Sequence, residues 1–180
     1  MSTIKVNNIQ SRTGNAISFT SGDTITIPSG ATLTNNGTAN FGKIGQVVQG
    51  VVNTQLTSTS SSFTNIGFDL NITPTSASSK ILATFFCPAL KTSNANTRME
   101  TKLFYTVGGV ESEVQSFGWC VYNEVVDDSA QTTGGSYLHS PSSTSELTYT
   151  VKFNNVSAVG DTVACWGSKP ATLTLMEVLP

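Results

Sequence analysis

SKILATFFCPAL, residues 79–90, is apolar on both sides of an extended chain: Ile81, Ala83, Phe85 and Cys87 alternate with Leu82, Phe86 and Pro88. Side chains of a strand point alternately to its two faces, so this segment is either central in a sheet or part of a contact between subunits. ELTYTVKFNNV, residues 146–156, reads differently. Leu147, Tyr149, Val151 and Phe153 share one side and Thr148, Thr150, Lys152 and Asn154 the other, the pattern of a half-buried strand. Working outward, further strands are predicted over 46–57, 63–72, 98–107, 111–125, 136–140, 161–167 and 171–179. Turn chemistry separates them at TPTSAS, Gly108-Gly109, Gly134-Gly135 and Gly160-Asp161. Nine short strands in residues 44–180, with no helix supported, predict a β-sandwich.

The first 43 residues have another texture. Ile17, Ile25, Leu33 and Phe41 recur every eight positions, and Gly14, Gly22 and Gly30 each stand three places ahead of an apolar residue. Each unit is a turn followed by a short alternating run such as TITIP, which buries too little to offset its own ordering entropy, roughly 1–2 kcal/mol per residue. Three copies wound about one axis would bury the eight-spaced residues against each other, so residues 15–43 are expected to form a trimeric shaft and residues 44–180 a head. Residues 1–14 hold Ile4, Val6 and Ile9. The alternation of Ile4 and Val6 suits a strand added to the edge of another protein's sheet.

Charged residues make up 11% of the 180-residue chain and the net charge is −2, so neither nucleic acid nor an anionic membrane is an expected partner. The N-terminus lacks the apolar run of a secretory signal, and no stretch is long and apolar enough to insert in a membrane; synthesis in a cytoplasm is expected. Cys87, Cys120 and Cys165 are odd in number and widely spaced, which predicts buried free thiols.

STIKVNNIQSRTGNAISF (2–19), with the glycine-punctuated repeat behind it, resembles the N-terminus of a family of fibre and tail-associated proteins of marine bacteriophages of the cyanophage and pelagiphage type. ITPTSASSKIL (72–82), SYLHSPSSTSELTYTVKF (136–153) and TLTLMEVLP (172–180) resemble the C-terminal head of the same proteins. The resemblance implies a virion structural protein with an N-terminal anchor to another virion protein, a short trimeric β-shaft and a jelly-roll-like head, made in the host cytoplasm and located in the virion. It also implies that the terminal strand lies beside the threefold axis. Three Glu177 side chains, in line with Leu173 and Leu175, would then come close together unless Lys or Arg partners intervene. A capsid decoration or head fibre is the first alternative and a spike glycan hydrolase the second.

Catalytic chemistry has little to stand on. His139 is the only histidine, no G-x-S-x-G elbow is present, and Asp127-Asp128 and Glu111/Glu113 read as solvated loop acids rather than the paired carboxylates of a glycosidase. No enzyme activity, cofactor or metal is expected, since one histidine and three distant cysteines lack the close ligand pairs of a zinc site. Contact with a host receptor or glycan is the chemistry left, with Trp119, Tyr122, Tyr137 and Trp166 as candidate residues. Trp119 and Trp166 adjoin Cys120 and Cys165 within predicted strands, which favours the core for both. The polar segments 91–97 and 127–136 then become the better contact loops.

Overall fold

The computed structural model describes residues 44–123 and 129–180. The anchor residues Ile4, Val6 and Ile9, the shaft residues Ile17, Ile25, Leu33 and Phe41, and Asp127 and Asp128 lie outside the described residues. The described residues form eleven strands: β1 (Ile44–Val52), β2 (Leu56–Ser58), β3 (Thr64–Asn65), β4 (Leu70–Ile72), β5 (Lys80–Thr92), β6 (Thr97–Val107), β7 (Val110–Asn123), β8 (Ser129–His139), β9 (Leu147–Asn155), β10 (Thr162–Ala164) and β11 (Ala171–Val178).

All pairings are antiparallel, in two sheets. In the first, β5 is central, with β8 along one side and β11 followed by β10 along the other; β1 then flanks β11 and β2 flanks β10. In the second, β9 carries β3 and β4 end to end on one side and β6 on the other, with β7 outermost. Taking β1/β2, β3/β4 and β10/β11 each as one interrupted strand leaves eight strand positions. Their order is first-eighth-third-sixth in one sheet and second-seventh-fourth-fifth in the other. Two interlocked Greek keys give that order. The sandwich is a jelly roll.

The core lies between the sheets. Leu147, Tyr149, Val151 and Phe153 of β9 are fully buried, as their alternation predicts, and face Ile81, Ala83, Phe85 and Cys87 of β5 and Leu173 and Leu175 of β11. The two-sided apolar character of 79–90 is thus explained in part by a central position. Pro88 sits where the β5–β8 register shifts between Cys87 and Leu90, a bulge that tolerates a residue without an N–H. Gly108 (φ 57°) and Gly109 (φ 81°) close the β6–β7 hairpin as expected, since a two-residue turn of this hand needs positive φ at both positions.

One boundary differs from the sequence reading. Residues from Ser129 onward belong to β8, whereas the sequence placed a loop over 127–136 and a turn at Gly134-Gly135. Those glycines are mid-strand because space is short. A Cβ at Gly134 would lie 2.7 Å from the Phe85 carbonyl oxygen, and one at Gly135 would lie 2.7 Å from the Phe117 ring, itself stacked on Phe85 at 5.8 Å.

The connections divide between the two ends of the sandwich. Residues 59–63, 93–96 and 156–161 link strands at one end, hereafter the loop end, where β7 also finishes and β8 begins. β1 starts at Ile44 and β11 finishes at Val178 at the opposite end, where these two residues pair.

Candidate functional site

The outer faces of the two sheets differ in chemistry. On the second sheet the outward residues of β6, β7 and β9 include Arg98, Glu100, Lys102, Glu111, Glu113 and Lys152. Lys102 donates to Glu113 at 2.9 Å and lies 3.7 Å from Glu100, while Lys152 pairs with Glu111. The bond to Glu113 raises the Lys102 pKa above its ordinary value. Lys102 also covers the Phe63 ring at 4.9 Å and Lys152 the Phe104 ring at 5.0 Å, so apolar rings on this face are capped by cations. It is a face built for water.

The first sheet is the reverse. Register places Val47, Met176, Leu82 and Leu138 in one row across all four strand positions, and Val51, Thr172, Phe86 and Gly134 in another four residues away. Val47, Val51, Phe86 and Leu138 are exposed. Between these rows run Gln49, Thr174, Thr84 and Ser136. Gln49 Nε2 donates to Thr174 Oγ1 at 2.8 Å, and the Thr84 and Ser136 hydroxyls bond to each other at 3.0 Å. These three rows carry no charged side chain, and the four polar residues of the middle row bond to one another in pairs within the sheet.

Glu177 is placed differently from what the resemblance implies. It does share a side with Leu173 and Leu175, but its carboxylate is fully buried and bound within its own chain. Gln46 Nε2 donates to Oε2 at 2.7 Å, and the Thr75 N–H and hydroxyl donate to Oε1 at 2.6 and 2.7 Å. Desolvation raises the pKa, but the donors from Gln46 and Thr75 outweigh it and bring it down to about 2. Its charge is satisfied by these donors and needs no copy of itself nearby.

The candidate contact residues divide. Trp119 is 61% exposed and Trp166 43%, so neither is core, contrary to the reading from their cysteine neighbours. Gly118 (φ 78°) lies in a bulged stretch of β7 where the register against β6 shifts twice, and this turns Trp119 outward while Cys120 and Val121 stay buried. Cys165 (φ 53°), Gly167 (φ 64°) and Ser168 (φ 56°) interrupt the strand and swing Trp166 out in a single 3-10 turn, Trp166–Ser168.

Tyr122, 38% exposed, joins Trp119. Both flank Arg98, whose guanidinium carbon is 4.6 Å from the Trp119 ring centre and 5.0 Å from that of Tyr122. Arg98 carried no mark in the sequence beyond its place on the polar side of RMETKLF. Trp166 lies under Lys91 at 5.0 Å, beside a cleft of about 430 Å³ that Pro88, Gln131, Thr132 and Lys169 also line. Tyr137, 37% exposed, stands apart in β8 opposite Ala83.

His139 belongs to packing: Nδ1 is 2.7 Å from the Tyr149 hydroxyl, the Tyr105 ring stacks edge-on at 4.6 Å, and burial lowers its pKa. Cys87, Cys120 and Cys165 are buried and form no disulfide, as expected, with burial raising the Cys120 thiol. Among the described residues no group of three or more His, Cys, Asp or Glu could hold a metal ion, and no helix is long and apolar enough to cross a membrane.

Neither a family model nor a curated protein matches the sequence. Among solved structures, T=1 particles of infectious bursal virus match with a TM-score of 0.39 and 14% identity, over 86% of this chain and 41% of that one. The VP2 subviral particle of infectious bursal disease virus gives 0.38 and 13%, over 75% and 37%. The T13 particle of that virus gives 0.37 and 13%, over 85% and 40%. The chain spans about two fifths of the length of these proteins. Strand order, independently of these matches, identifies the fold.

Proposed function

We propose that this chain is a non-enzymatic structural protein of a virus particle that assembles with copies of itself through the outer face of its first sheet. The observation that carries the reading is the asymmetry between the two outer faces. One is laced with ion pairs; the other holds three successive rows without a charged side chain, the polar one hydrogen-bonded within the sheet. Four strands about 4.8 Å apart and three outward positions about 6.7 Å apart give a footprint of roughly 400 Å². An uncharged footprint of that size, with exposed Val47, Val51, Phe86 and Leu138 along its two outer rows, is comparable to the largest surface patch of a typical monomer, which is often functional. Covering it strands few polar groups, which removes the usual cost of burying them.

A second and third copy are the occupants, closing about a threefold axis, because contacts that close form a ring rather than a filament. The eight-residue register of Ile17, Ile25, Leu33 and Phe41 favours the same number. Residues 2–19, by their resemblance, favour a tail-associated fibre anchored to another virion protein through Ile4, Val6 and Ile9. In that setting the loop end, with Arg98, Trp119 and Tyr122, is offered to a host surface. A capsid decoration would use the same assembly face.

Purified particles are the test. The chain should be recovered in them by mass spectrometry, and antibody labelling should mark either tail or shell, which separates the two settings. A chain found in infected cells but excluded from particles would overturn the reading.

A further inference from the structure

We propose that Arg98, Trp119 and Tyr122 form a binding site for an acidic glycan, one whose sugars bear carboxylate or sulfate groups. The inference concerns the loop end alone and holds for a fibre or a decoration.

Arg98 is the second residue of β6 and pairs with Tyr122, while Trp119 and Tyr122 fall in the last five residues of β7. Its guanidinium lies against both rings, yet among the described residues it has no hydrogen-bond or ion-pair partner, and its Nε is buried without an acceptor. Lys102 and Lys152 on the same sheet face are each neutralised by a glutamate. Among the described residues, Arg98 is the outward cation of that face with no acceptor for its guanidinium. Glu100 does not compete for it, since Ser116 Oγ donates to Glu100 at 2.8 Å and Lys102 lies 3.7 Å away.

Stacking between two rings fixes a flexible side chain before a ligand arrives, which lowers the ordering cost of binding. The planar fork matches the two oxygens of a carboxylate or sulfate, and such charge-assisted pairs are the stronger kind of hydrogen bond. Trp119 adds a rigid, exposed ring beside that fork, a platform for the C–H face of a sugar. The chain as a whole, at −2, has no general attraction for polyanions, so retention on one must come from a local site.

The test uses the full chain on immobilised polygalacturonate, dextran sulfate and neutral dextran. Retention is expected on at least one polyanion and not on dextran, and the two polyanions tell carboxylate from sulfate. Arg98→Gln should lower the affinity at least tenfold. Arg98→Lys should lower it comparably, because it keeps the charge and loses the fork. Trp119→Ala, which leaves Arg98 in place, should also lower it about tenfold. Lys80→Gln removes the same charge from the opposite end of the sandwich and should change nothing. Failure of the folded wild type to bind either polyanion, equal losses for Arg98→Gln and Lys80→Gln, or full binding by Arg98→Lys would each overturn the site.

Discussion

Glu177 shows how one buried charge is kept. Its position in line with Leu173 and Leu175 is legible in TLTLMEVLP, but its partners are not. Gln46 and Thr75 lie 131 and 102 residues away in sequence, and only the fold brings them to the carboxylate. Because its folded-state pKa of about 2 lies below the ordinary 4.5, its contribution to stability is fully present above about pH 4.5 and is lost as pH falls toward 2. Acid unfolding of the wild type should therefore steepen across that window. Glu177→Gln should flatten it, because the amide does not titrate. At neutral pH the same variant should lose about 1–3 kcal/mol in urea unfolding, since an NH₂ turned toward Gln46 or Thr75 leaves a buried donor unmatched. An unchanged acid limb in Glu177→Gln would show that the carboxylate does not carry this linkage.

At the scale of elements, strict period-two alternation was reliable and small residues were not. The inward face of β9 could be read residue by residue because Leu147, Tyr149, Val151 and Phe153 alternate without a break, although Thr150 and Asn154 on the other side are buried as well. β8 could not, because SAQTTGGS has the composition of a loop and its glycines answer to Phe85 and Phe117 across the structure. Trp119 and Trp166 were misplaced for a related reason: a bulge at Gly118 and a left-handed Cys165 break the alternation that assigns faces, and neither is visible in spacing alone. The glycine argument gives a prediction whose sign is diagnostic. Gly→Ala inside a strand ordinarily stabilises by about 0.5–1 kcal/mol. Gly134→Ala should instead destabilise by about 1–3 kcal/mol, since its methyl meets a backbone carbonyl that cannot move aside. A stabilised variant in urea unfolding would mean that β5 and β8 have room to separate.

For the whole molecule, the two sheets do different work. Their shared interior makes the jelly roll, and that much was legible as a β-sandwich from the number and spacing of strands. The contrast between the outer faces was not legible, because it depends on cross-strand register: Val47, Met176, Leu82 and Leu138 come from four distant segments and meet only when β1, β11, β5 and β8 align. The central claim is that this row is covered by other copies of the chain. Leu138 is exposed, so Leu138→Lys should alter the stability of a single sandwich by no more than about 0.5 kcal/mol. In an assembly it would bury three unpaired ammonium groups at the contact, which is costly. Light scattering on the full chain and on this variant is the most direct measurement. The wild type should show about three times the chain mass of 18.9 kDa, and Leu138→Lys should fall toward 18.9 kDa with its β-sheet circular dichroism intact. A wild type that is monomeric at micromolar concentration, or a Leu138→Lys variant that keeps the wild-type mass, would contradict assembly through this face.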